Sequence, residues 1–208
     1  MSLDPKKFKK LTDPNVETII FFALIFFYTI SLFIAPLTLE PGTVQDLDGN
    51  ANMIDYSGKW SEMNPYHRAI YLFSDFNCHQ KYYRSYSINE NQMPVCARDV
   101  GIFIGMSVGF FMMAFVRRKT NFKDVLLFFI PNIKQISERK KTLAIFGFGA
   151  LFVLPMAFDG GIQLVTSYES INPIRMITGL LFGFGFSAFV SSLFISSIAE
   201  VSGDLYEP

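Results

Sequence analysis

The chain has 208 residues, half of them hydrophobic and 24 of them Phe, with a positive mean hydropathy of +0.30. Eighteen Lys and Arg balance eighteen Asp and Glu, so net charge points to no partner and only the placement of the charges is informative. The apolar residues arrive in uncharged blocks, not in the alternating or one-sided patterns of soluble strands and helices, which excludes an ordinary soluble domain.

Residues 1–17 form a basic segment carrying Lys6, Lys7, Lys9 and Lys10. Asp13-Pro14 supplies a capping residue followed by Pro at the first helical position. The uncharged block behind it predicts a first span over 18–39, since a crossing helix needs about 20 apolar residues. The block is too long for a secretion signal's core and no Ala-x-Ala site follows it, so it is expected to remain as an anchor.

Residues 40–97 form a long loop with Trp60, Tyr66, Tyr71, Tyr82, Tyr83 and Tyr86, a composition suited to anchoring at a membrane interface. Within it, Asp46, Asp48, Asn50 and Asn52 resemble the opening of a calcium loop. Ala51 and Ser57 stand where that loop needs Gly and Glu, so the stretch reads as a polar turn. His67, just after Asn64-Pro65-Tyr66, reads as a surface loop residue.

A second span covers 98–116 and carries Gly101, Gly105 and Gly109 at intervals of four. The loop 117–141 is basic. Its short apolar run, 125–130, stops at Pro131 and is too short to cross, so it predicts a helix lying in the interface or packed on the bundle. A third span covers 142–159 and meets Asp159-Gly160-Gly161, where the glycines are expected to open the helix. A fourth covers 174–199, introduced by Asn172 as N-cap and Pro173, with Gly179 and Gly183 inside it. Small residues on one face let helices approach closely in lipid, and internal packing is favoured over a homodimer seam.

Lys and Arg counts set the orientation. The N-terminal segment holds four and the 117–141 loop eight, making twelve on one side. The other side holds six, Lys59, Arg68, Lys81, Arg84, Arg98 and Arg175. The expectation is an all-α membrane protein in the plasma membrane, with four transmembrane helices in one domain over 18–208. It has a cytoplasmic interfacial helix, a long outer loop and both termini cytoplasmic. The basic runs serve topology and lipid headgroups. Nucleic acid is excluded as a partner, because no aromatic or Gly-rich recognition motif accompanies them. The lipid bilayer is the expected partner, with homo-oligomers or subunits of a membrane complex as further candidates.

This topology gathers the unusual polar residues at the outer face. Cys78, His79, Cys96 and Asp99 make a donor set suited by type to zinc, although adjacent Cys and His side chains tend to diverge. A Cys78–Cys96 disulfide and unpaired packing are the competing readings, and an extracytoplasmic location permits the disulfide. Arg98 and Arg175, with Asn172, are candidates for binding carboxylate or phosphate. Asp159 and Gln163, one helical turn apart, are candidates for acid/base work. A salt bridge from Asp159 to a nearby Arg is an equal alternative.

The motifs Cys78-His79-Gln80, Arg84-Ser85, Cys96-Ala97-Arg98, Asp159-Gly160 with Gln163, Glu169-Ser170, Asn172, Arg175 and Thr178-Gly179 together resemble the domain-of-unknown-function 2085 family of integral membrane proteins. The resemblance covers about residues 70–190 and implies no established activity. Where the family pattern has a second cysteine this chain has Asp99, which removes a strict Cys-x-x-Cys redox mechanism and leaves metal ligation open. The leading expectation is a polar, zinc-binding outer site acting on a lipid-linked or phosphate-bearing substrate. The alternatives are an accessory subunit stabilised by the disulfide and a transporter or channel component.

Overall fold

The computed structural model describes residues 14–201. The expectations for Lys6, Lys7, Lys9, Lys10 and Asp13 lie outside the described residues. Four helices are long and apolar enough to cross a membrane: α1 (Val16–Thr38), α4 (Ala97–Ala114), α6 (Glu138–Val165) and α7 (Asn172–Val201). Between α1 and α4 lie the short helices α2 (Ser57–Ser61) and α3 (Pro65–Asn77) and a hairpin of β1 (Ser87–Ile88) and β2 (Asn91–Gln92). Helix α5 (Phe122–Leu126) sits between α4 and α6.

The bundle is organised around the contact of α4 with α7, and glycine makes it. A Cβ built on Gly101 would lie 2.1 Å from the Met176 carbonyl oxygen, and one on Gly179 would lie 2.1 Å from that of Arg98. Gly105, Gly109 and Gly183 extend the same stripe. With little hydrophobic drive between helices in lipid, close approach and the dispersion it permits hold the pair together. The stripe is therefore used inside one molecule.

Helix α1 packs on α4, and its entry is tied to the end of α4 by Asn15. The Asn15 backbone N–H donates to Ala114 O at 2.7 Å, and its Nδ2 donates to the carbonyls of Met113, Ala114 and Val116. These include C-terminal carbonyls of α4 that have no partner within their own helix. Helix α6 lies at the periphery against α7, with Leu143, Phe146, Leu151 and Phe158 exposed for lipid to cover. It extends beyond 142–159 at both ends and runs unbroken through Gly160-Gly161. The first turn is held by Lys141, which pairs with Asp124 at 2.8 Å and Glu138 at 2.9 Å. Val125 and Leu126 of α5 are buried with Met113, Ala188 and Ile195.

Residues 40–96 form a folded cap instead of a loose loop. Trp60 and Tyr71, expected as interfacial anchors, are fully buried and stack with centroids 5.0 Å apart. Their polar tips are satisfied inside: Trp60 Nε1 donates to Asp75 at 2.8 Å, and the Tyr71 hydroxyl donates to Gln92 O at 2.9 Å. Tyr66, Tyr82 and Tyr83 stay exposed. His67 lies in the first turn of α3, not in a loop, and is buried with Nε2 2.9 Å from the Thr38 hydroxyl. Asn89 and Glu90 both take positive φ, the geometry of a type I′ hairpin turn. Beside them Asn91 accepts from Val44 N–H and donates to the carbonyls of Pro36 and Glu40, fastening the cap to the end of α1.

Candidate functional site

Cys78 ends α3, its N–H donating to Ser74 O at 2.8 Å. Cys96 is the N-cap residue of α4, in extended conformation, and Asp99 lies three residues into that helix. The hairpin strand and Pro94 deliver Cys96 back onto the end of α3, so two segments 18 residues apart meet. The Cys96 N–H donates to Cys78 Sγ at 3.2 Å, and the Cys96 thiol donates to Asp99 Oδ2 at 3.2 Å. Both thiols are free and only 4% exposed. One donor atom from each of Cys78, Cys96 and Asp99 lies within 4.8 Å of the other two.

That spacing fits a single cation. Zinc takes thiolates at about 2.3 Å and carboxylate oxygens at about 2.0–2.2 Å, so its ligands stand roughly 3–4 Å apart and a small inward movement closes the set. Leu32, Met93, Val95 and Val100 surround the group with apolar side chains, an environment that strengthens any charge attraction inside it. The Cys78 thiol is pushed well above its ordinary pKa by its contact with Cys96 and by burial.

His79 does not join this donor group. Its Nδ1 accepts the Lys81 N–H at 3.3 Å. Burial, followed by the positive charges of Arg84, Lys81, Arg175 and Arg98, lowers its pKa to about 4. The ring is thus a neutral group near an arginine cluster.

The cluster begins at Arg98, on the first turn of α4. Its guanidinium forms an ion pair with Asp159 of α6, which is 8% exposed and also accepts from the Ser170 hydroxyl at 3.2 Å. Gln163, one turn further along α6, donates to Asp159 O at 2.6 Å and to Ser170 Oγ at 3.1 Å. Gln163 Oε1 accepts from Arg175 Nη2 at 2.7 Å. Arg175 is 1% exposed, donates from Nε to Ser170 O and pairs with Glu169, which Arg84 also holds at 2.7 Å. Three guanidinium groups thus share two carboxylates. Arg98 Nε and Arg175 Nη1 are buried without a hydrogen-bond partner among the described residues, as is Asn172 Oδ1. Asn172 falls inside α7, one position later than its expected capping role, and its Nδ2 donates to Ser85 O at 3.2 Å.

Cys78, Cys96, Asp99, Arg98, Asp159, Gln163, Asn172 and Arg175 therefore occupy one end of the bundle. Glu169, Ser170 and Arg84 were not among the expected site residues. Two buried arginines at one face require counter-charges, and within 159–175 the sequence offers only Asp159 and Glu169.

A family model for predicted membrane proteins, DUF2085, matches residues 78–189. An uncharacterised protein of Methanocaldococcus jannaschii is 32% identical over 130 residues, covering 62% of this chain and 71% of its own length. An uncharacterised protein of Methanothermobacter thermautotrophicus is 32% identical over 116 residues, covering 56% and 86%. No solved structure matches the chain. The matched segment starts at Cys78 and takes in both the thiol group and the arginine cluster.

Proposed function

The chain belongs to the DUF2085 family of predicted membrane proteins, and we propose that it works in the bilayer as a zinc-binding protein with an anion site beside the metal. Cys78, Cys96 and Asp99 supply three ligands. The fourth position is left to water or substrate, the pattern of zinc sites that do chemistry. The observation that carries this reading is the convergence of two thiols and a carboxylate within 4.8 Å in an apolar setting. The spare donors of Arg98 and Arg175 recognise the phosphate of a lipid-linked or phosphate-bearing substrate, and Asn172 Nδ2 would join them only by leaving Ser85 O. Asp159 and Gln163 hold the two guanidinium groups in place. Both sites face the extracytoplasmic side of the plasma membrane, with the basic end cytoplasmic.

A second reading rests on the same closeness. Oxidation of Cys78 and Cys96 would tether the cap to α4 and remove both thiolates as ligands. The protein would then serve as a structural subunit of a membrane complex.

Elemental analysis of the purified chain separates the two. About one zinc ion per chain, with two thiols titratable before reduction, supports the metal centre. Asp99→Asn should weaken zinc affinity at least as much as the roughly 10–100-fold lost with an outer-sphere partner. His79→Ala should leave the zinc content intact. Absence of metal, with thiols appearing only after reductant, contradicts the zinc reading and supports the tether.

A further inference from the structure

The basic end of the bundle carries a second feature unrelated to the thiols. Helix α6 leans on α7 and leaves an apolar groove of about 440 Å³ between itself, the end of α4 and the residues after α5. Its walls include Met112, Leu127, Phe128, Gly147, Phe148 and Phe184. The rings of Phe148, Phe152 and Phe184 follow one another along it at centroid distances of 4.5 and 5.4 Å. Its volume falls in the roughly 300–1,000 Å³ range of ligand sites. Met112 and Phe128 also line a second cavity of about 340 Å³, whose remaining walls include Arg117 and Lys119. The two cavities share Met112 and Phe128, so cations stand beside the apolar slot, with Lys119 Nζ donating to Asp124 O at 3.2 Å.

We propose that this groove binds one anionic phospholipid, an acyl chain lying along the phenylalanine rings and the phosphate meeting Arg117. The complementarity is of two kinds at fixed spacing. An acyl chain matches the apolar slot, and a headgroup phosphate would meet the cation beside it. Arg117 is exposed, and its planar guanidinium suits bidentate phosphate contact. The assignment gives the basic loop a specific occupant in addition to its part in topology.

The full chain, delipidated in detergent, is titrated with phosphatidylglycerol or phosphatidylcholine and the retained lipid counted by native mass spectrometry. The wild type should prefer phosphatidylglycerol, and Arg117→Gln should cut that preference by about 5-fold, the worth of one basic residue at an anionic surface. Gly147→Leu should abolish retention of both lipids by filling the slot. A Cβ at Gly147 meets nothing within 4 Å, so the larger side chain starts in open space, and a melting temperature near that of the wild type checks that the variant folds. Gly149→Leu has equal room on the same helix outside the groove, and should bind as the wild type does. Undiminished lipid retention in Gly147→Leu overturns the proposal, as does a preference indifferent to Arg117. So does conversion of a dimer to monomer by Gly147→Leu without loss of lipid, which would make the groove an interface between copies.

Discussion

At the residue scale, the Arg98–Asp159 pair ties α6 to the first turn of α4. Asp159 is nearly buried, while Arg98 keeps about a fifth of its side chain exposed. Removing one partner of a fully buried pair costs about 3–5 kcal/mol. Asp159→Asn should therefore cost less, on the order of 2 kcal/mol, because Arg98 can turn to solvent or headgroups. Thermal unfolding in detergent should show this loss. The Arg98→Met, Asp159→Leu double variant should lose less than the two single changes summed, since no charge is then stranded. Additive losses would mean that the pair contributes nothing. His67 sets a different dependence. Burial against the end of α1 lowers its pKa below the ordinary value of 6.5. The fold favours the neutral ring, so its contribution is fully present above pH 6.5 and is lost as pH falls through the lowered value. His67→Gln should remove that part of the acid sensitivity, read as the change in melting temperature between pH 7 and pH 5.

At the scale of elements, the α4–α7 seam tests which of two opposed effects governs glycine. Replacing Gly by Ala in a helix gains up to about 1 kcal/mol of propensity. At Gly101 the new methyl would stand 2.1 Å from the Met176 carbonyl oxygen, and overpacking of this kind costs about 1–3 kcal/mol or more. The clash wins there, so Gly101→Ala should lower the melting temperature. Gly149→Ala, with nothing within 4 Å, should hold or raise it. Equal responses at the two positions would contradict the seam. The spans were legible in the sequence because uncharged blocks of that length have one physical outcome. Their ends were less so. Helix α6 continues four residues before 142 and six beyond 159, because Lys141 finds Asp124 and Glu138 at one end and Asp159 finds Arg98 at the other. The folded cap was not legible. Its stability rests on Asn91, Gln92 and Asp75, whose amides and carboxylate bond segments distant in sequence, and such contacts leave no periodic trace.

At the scale of the molecule, two ends of one bundle carry two different chemistries. The end with Cys78 and Cys96 joins thiols and carboxylate to an arginine network. The end with Arg117 and Lys119 sets cations beside an apolar slot. The convergence of the first end was readable from topology, since an even number of crossings returns residues 78–99 and 159–175 to one face. Which residues touch was not. His79 stays out of the donor group, and its Nδ1 accepts the Lys81 N–H instead. X-ray absorption at the zinc edge of the full chain, purified with zinc, tests the metal centre most directly. The expected shell has two sulfur neighbours at about 2.3 Å with oxygen or nitrogen at about 2.0–2.2 Å. A zinc shell without sulfur would contradict it.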